Sequence, residues 1–185
     1  MVKYNPDIHH RRSIRLKGYD YTKAGWYFIT VCTKNRENLF SNIENGKLIL
    51  NELGKIARNE WLMTAVIRKN VELDEYLIMP DHIHGIIHIV DEDSKGTASC
   101  APTVPSQTEQ FGKPVPNSIP TIIRSYKSAV TRHINISRQT PGVPVWQRNY
   151  YEHIIRDEPE LNRVRKYIIE NPLKWLDNKY NADQF

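Results

Sequence analysis

VELDEYLIMPDHIHGIIHIV, residues 71–90, governs the reading of this chain. It holds two strand-like runs, VELDEYLIMP and HIHGIIHIV, with only a Pro-Asp-His step between them, which predicts a hairpin. Residues two apart on a strand share a face. Ile83, Gly85, Ile87 and Ile89 then form an apolar, core-like face. His82, His84, Ile86 and His88 form the other. Gly85 leaves a gap that lets a helix pack close. Three imidazoles in such a run need a reason.

Two answers compete. A strand histidine often serves as a hydrogen-bonded structural residue. A His-x-His pair on one face, with Cα atoms about 6.5–7 Å apart, can instead converge on one metal ion. His88 stands about 13 Å beyond His84 along the strand and is read as a packing or surface residue. Two imidazoles make a weak site, so a third ligand (Glu, Asp, Asn or Gln) must come from elsewhere in the chain.

Outward from the hairpin the organisation is simple. GWYFITVCT (25–33) is aromatic and β-branched, hence a strand. NGKLILN (45–51) offers an Asn-Gly turn and a short extension. ELGKIARNEWLMTAVI (52–67) has Leu53, Ile56, Ala57, Trp61 and Thr64 at helical spacing. Residues 91–118, rich in Pro, Ser, Thr and Gly, read as a flexible insertion loop. IPTIIRSYKSAVTRHINISR (119–138) is the clearest helix, with Ile119, Ile122, Ile123, Tyr126, Val130 and Ile134 on one face. VWQRNYYEHIIR (145–156) reads as a strand. DEPELNRVRKYIIEN (157–171) opens with an Asp157/Glu160 capping box, and Pro172 is expected to end the helix. The order predicts an α+β domain: a ferredoxin-like antiparallel sheet with helices on one face.

The 185 residues suit one domain with a sizeable core. Lys and Arg number 26 against 21 Asp and Glu, a net charge of +5 that suits an anionic partner such as nucleic acid. Cys32 and Cys100 lie far apart in no motif, which argues against a disulfide framework and fits a reducing compartment. The N-terminal segment lacks the apolar core of a secretory signal, and no run reaches the ~20 apolar residues of a membrane span. A cytoplasmic protein is expected.

Chemistry also suggests itself in VRKYIIENP, where Tyr167 and Asn171 stand at i, i+4. A tyrosine hydroxyl can be a nucleophile towards phosphorus, and a metal that polarises the phosphate would help it. The chain has ten tyrosines, most of which must pack or face solvent. Asn171 before a proline is also an ordinary helix-end residue.

Taken in order, YLIMPDHIHGIIHIV, IIRSYKSAVTRHIN, VWQRNYYEHIIR and YIIENPLKW resemble the single-tyrosine transposases of the HUH superfamily, and within them the REP-associated tyrosine transposases. The opening RRSIRLKGYDYTKAGWYFITVCTKNRENLF is similar to the same branch, and the likeness weakens over residues 91–118. The resemblance implies a single HUH transposase domain over 1–185, His82 and His84 as metal ligands, Tyr167 as nucleophile and Asn171 as the residue completing the metal site. The implied ion is Mg²⁺ or Mn²⁺. The implied activity is that of a transposase and endonuclease on single-stranded, hairpin-bearing DNA with palindromic repeats, through a 5′-phosphotyrosine intermediate. The protein would act as a monomer or homodimer.

For DNA contact, no Asp or Glu occurs between Glu109 and Glu152, while Arg124, Lys127, Arg132 and Arg148 do. A basic N-terminal arm, 1–20, adds Arg11, Arg12 and Arg15, and is otherwise a solvated tail. Trp146 is either a stacking platform or a core anchor. Tyr150 and Tyr151 are rival nucleophiles by residue type, on opposite strand faces. His153 shares the face of Tyr151 and is taken as a packing residue or one supporting the ligands. The alternative function is a non-catalytic single-stranded nucleic-acid-binding module on the same sheet. Relaxase or replication-initiator chemistry fits less well, since the motif order differs.

Overall fold

In the computed structural model, residues 16, 19–44, 47–91 and 115–182 are described, with backbone alone at 174 and 176–182. Arg11, Arg12, Arg15, Cys100 and most of the 91–118 segment lie outside them. Ten elements follow one another, counting a short 3-10 turn at Lys34–Arg36: β1 Gly25–Cys32, β2 Ser41–Glu44, β3 Lys47–Leu50, α1 Glu52–Val66, β4 Val71–Ile78, β5 His82–Ile89, α2 Ile119–Arg138, β6 Tyr151–Ile155 and α3 Glu158–Ala182.

The main sheet runs β4-β5-β1-β6, antiparallel throughout, which is the ferredoxin-like order. The expected hairpin is β4–β5. A separate two-stranded sheet, β2–β3, flanks the expected Asn-Gly turn, whose residues 45 and 46 are not described. β2 was not anticipated, because SNIE is too short and polar to announce a strand.

Strand alternation divides the molecule. Tyr27, Ile29 and Val31 of β1, with Ile83, Ile87 and Ile89 of β5, face α1 and α2 in the larger core. Gly85 belongs to this face for a steric reason. A Cβ there would stand 2.3 Å from Cζ2 of Trp61, so α1 can lay its indole on the sheet only over a glycine. Asn51 caps α1, its side chain accepting from Gly54 N at 2.9 Å. Ser118 caps α2 through Thr121 N, and all six apolar positions expected on its inner face are buried. Residues 115–118, placed in the expected loop, therefore belong to the helix entry. Tyr19, placed in the N-terminal arm, packs edge-on against Tyr21 at the core.

The expectation of helices on one face holds for α1 and α2 and needs correcting for α3. α3 covers the opposite face, where Phe28, Ile86, Ile155, Leu161 and Ile168 form a second, smaller core. Nor does Pro172 end α3, which runs on to Ala182 with the proline inside. An interior proline removes one helix hydrogen bond and crowds the carbonyl a turn back, and burial of Ile168 in the smaller core helps to hold the helix through it.

The strand expected over 145–156 is shorter too. Trp146 makes a single bridge with Thr33, and regular pairing resumes only at Tyr151 opposite Thr30. Residues 147–150 thus stand opposite only Val31 and Cys32, and the surplus bulges outward. A second irregularity in β4, between Leu73 and Tyr76, carries Asp74. Its carboxylate takes two bonds from Arg165 of α3, at 2.9 and 2.5 Å, pinning the helix to the sheet edge.

Candidate active site

The face under α3 is where the imidazoles point. β5 lies beside β1 with Cys32 opposite His82, Thr30 opposite His84 and Phe28 opposite Ile86. Both histidines are buried, at 5% and 4% exposure. Their Nε2 atoms face each other at 3.0 Å. The far nitrogens are occupied: Nδ1 of His82 contacts the Asp81 carboxylate, and Nδ1 of His84 lies 2.8 Å from Thr30 Oγ1. Burial above all, then the neighbouring His82 and Arg36, pushes His84 down to about 3, so its imidazole is neutral near pH 7.

α3 brings Tyr167 across this pair. Its hydroxyl is 3.5 Å from His84 Nε2, and its ring meets His84 and Phe28 edge-on. Because the helix continues through Pro172, Tyr167 and Asn171 keep their i, i+4 relation on one helix face. Tyr167 is 41% exposed and Asn171 7%. His82, His84, Tyr167 and Asn171 all line one cleft of about 880 Å³.

The donor set fits a divalent cation. The two imidazoles present Nε2 to each other, and their Nδ1 atoms are held by a carboxylate and a hydroxyl, as metal-bound histidines usually are. Among the described residues no three of His, Cys, Asp or Glu gather as ligands. Asn171, which lines the same cleft, would offer an amide oxygen as the third ligand the resemblance implies.

Other expected residues sort differently. His153 lines the cleft but binds Glu160, at 2.8 Å, rather than the pair. Glu160 N–H bonds Asp157 as the capping box requires, while its carboxylate reaches back to Arg156 N, one residue short of the usual return partner. His88 stacks on Trp26 with ring centres 3.9 Å apart, well away from the pair. Of the rival tyrosines, Tyr151 lines the cleft and Tyr150 packs towards the larger core. Trp146 is a core anchor, 7% exposed, its indole N–H donating to Lys127 O.

The basic residues of α2 are not in this cleft. Lys127, Arg132 and Arg148 line a second groove between α2 and the segment around 142–148, and Arg124 is exposed on α2. Lys127 is less available to a phosphate than expected. Its ammonium donates to the carbonyls of Gln147 and Arg148, and burial lowers its pKa to about 8. Among the described residues, the Arg and Lys side chains lining the cleft are Arg36 and Arg163, neither of which the sequence singled out. Asp81 was visible in the motif, but nothing local marks Arg36 as its neighbour.

Comparisons with known proteins bear on the fold that carries this cleft. No family model matches the chain. An uncharacterized protein of Haemophilus influenzae is 42% identical over 98% of this chain and 99% of its own length, so the two belong to one family. A second H. influenzae protein, named "Putative REP-associated tyrosine transposase", is 27% identical over 84% of this chain and 74% of its own. A solved REP-associated tyrosine transposase bound to a REP hairpin superposes with a TM-score of 0.57 at 19% identity, covering 88% of this chain and 74% of that one. The chain has the REP-associated tyrosine transposase fold. The resemblance carried by the motifs is met by both the named relative and the fold. Among the described residues no helix of this transposase fold is long and apolar enough to cross a membrane.

Proposed function

We propose that this protein cleaves and rejoins single-stranded, hairpin-bearing DNA, with Tyr167 as nucleophile and a divalent cation held by His82, His84 and Asn171. One observation carries the reading: the Tyr167 hydroxyl lies 3.5 Å from the imidazole pair in a single cleft. The named relative and the REP-hairpin complex of the structural neighbour support the substrate class.

Mg²⁺ or Mn²⁺, when bound, would supply positive charge to the scissile phosphate and make its phosphorus more electrophilic. Imidazole ligands suit Mn²⁺ better. The protein's own groups supply the rest. α3 holds the phenol at the mouth of the cleft. The phenol oxygen attacks phosphorus, a Tyr167 O–P bond forms, and the P–O3′ bond breaks. The tyrosine proton ends on the departing 3′ oxygen, and the 5′ phosphate remains esterified to the enzyme. One phosphodiester replaces another, so a DNA 3′-hydroxyl can reverse the step without ATP. The buried His84, neutral near pH 7, keeps a lone pair for the cation.

The experiment is adduct formation. With Mn²⁺ and single-stranded hairpin DNA, the wild type should give a protein–DNA species that survives SDS. Tyr167→Phe should give none, and Tyr151→Phe should still give it. An adduct that persists in Tyr167→Phe and disappears in Tyr151→Phe moves the nucleophile to β6. DNA binding without an adduct under any metal favours the non-catalytic binding module.

A further inference from the structure

Behind the histidine pair lies a chain of contacts that the chemistry above does not use. We propose that Asp81 and Arg36 position His82: Asp81 holds the Nδ1 proton so that Nε2 presents its lone pair to the cation, and Arg36 holds Asp81 while offering its free N–H groups to a DNA phosphate. This rests on the proposed function and deepens it.

Asp81 is only 4% exposed, and a buried carboxylate is stable only when its oxygens are bonded. One oxygen contacts His82 Nδ1, and the other accepts from Arg36 Nη1 at 3.3 Å. With the proton kept on Nδ1, the Nε2 of His82 is left as an acceptor. A carboxylate behind a ligating imidazole also fixes the ring and raises its basicity. His84 has a hydroxyl, Thr30 Oγ1, in the matching place, so the two imidazoles are supported unequally.

The Asp81 backbone is held independently. Thr33 N and Thr33 Oγ1 both donate to the Asp81 carbonyl, at 2.8 and 2.9 Å. Removing the side chain therefore leaves the turn before β5 anchored.

Arg36 is placed at a cost. It and Asn35 are consecutive non-glycine residues in the left-handed region, at φ 58° and 55°. Such backbone persists where the surroundings over-determine it, and it clusters at functional sites. The turn aims the guanidinium into the cleft, where its side chain is 54% exposed despite the bond to Asp81. A guanidinium has five N–H donors in a planar fork, more than one carboxylate oxygen accepts, and the fork matches phosphate. The same side chain can thus touch Asp81 on one edge and DNA on another.

The test uses the full chain and three readouts: Mn²⁺ binding without DNA by titration calorimetry, ¹⁵N NMR of the imidazoles without metal, and adduct kinetics. In the wild type, His82 should carry its proton on Nδ1. Asp81→Ala should weaken Mn²⁺ binding about 10–100-fold, and Asp81→Asn, which keeps an acceptor oxygen, about threefold at most. Arg36→Ala should weaken Mn²⁺ binding less than Asp81→Ala does, because Asp81 keeps its bond to His82, and should raise KM for hairpin DNA on the order of tenfold, with a smaller change in kcat. An Nε2–H tautomer for His82 in the wild type overturns the Asp81 role even if Asp81→Ala does not fold. So does Asp81→Ala with wild-type Mn²⁺ affinity, or Asp81→Asn as weak as Asp81→Ala. A fall in kcat with KM unmoved in Arg36→Ala overturns the phosphate role. Wild type that takes up no Mn²⁺ and gives no adduct removes the functional reading as well. An active wild type with indifferent variants removes only this proposal.

Discussion

The two faces of the sheet are built from the same strands and do opposite work. Towards α1 and α2, β1 and β5 offer Tyr27, Ile29, Val31, Ile83, Ile87 and Ile89, all nearly or fully buried against two helices. Towards α3 the same strands offer Thr30, His82 and His84 beside a core of five buried residues among those described. A period of two lets one strand serve both faces without compromise. The larger core supplies the stability that lets the other face hold buried imidazoles and a carboxylate, groups that burial disfavours unless they are bonded. Substitutions on the two faces should therefore separate stability from activity.

The largest effect is expected on the α3 face. His84→Ala should abolish adduct formation while the protein still melts cooperatively in a calorimeter. If His84→Ala unfolds the protein instead, the imidazoles are structural and the division of labour fails. On the other face, Trp61→Ala should cost about 3–5 kcal/mol in urea unfolding, the usual range for emptying a buried aromatic site. The indole N–H of Trp61 has no acceptor among the described residues, so its ring shape over Gly85 is what holds it. Gly85→Ala drives a Cβ into that ring and should cost about 1–3 kcal/mol. In a Trp61→Ala background the same change should cost much less. Equal costs in both backgrounds would mean that α1 is not seated on the glycine.

A smaller effect should come from the clamp between the faces. The Arg165 hydrogen bonds hold the Asp74 carboxyl below its usual pKa, against a weaker opposing effect of burial. Both groups are partly solvated, so Arg165→Met should cost only about 1 kcal/mol at pH 7. A lowered folded pKa gives stability that is complete above the unfolded value, near 3.9, and is lost as pH falls through the folded value. The difference between wild type and Arg165→Met should therefore shrink below about pH 4 in acid-denaturation curves. A difference that stays constant to low pH would assign the effect to the Arg165–Trp26 contact, 5.8 Å from guanidinium carbon to ring centre, instead of charge. The smallest change expected is a gain: Pro172→Ala restores a donor to α3 and should raise stability by about 1 kcal/mol, readable as a shift in Tm.

Much of this was legible in the residues. The six inner positions of α2, the apolar parity of β5, the role of Gly85 and the ferredoxin-like order all follow from local periodicity, because each depends on neighbours a few residues away. The histidine pair, Tyr167 and Asn171 were singled out by spacing and by the family resemblance. Illegible features share a cause: they depend on partners distant in the chain. α3 outruns Pro172 because the helix is packed on the sheet, which no local propensity records. The strand over 145–156 is cut short because 147–150 must pass a two-residue stretch of β1. Lys127 looks like a free cation until two carbonyls some twenty residues on accept its protons.

Sequence alone determined which side chains share a face, since helical and strand periods are properties of the backbone. It therefore determined that His82 stands beside His84, whereas the alignment of Tyr167 with Asn171 also needed α3 to continue through Pro172. Only the tertiary structure decided that these two pairs meet, that α3 lies across the face opposite α1 and α2, and that Asp81 and Arg36 stand behind His82. Those outcomes depend on burial and on contacts across long stretches of chain, 83 residues between His84 and Tyr167 and 91 between Asp74 and Arg165, and no local pattern encodes contacts of that range.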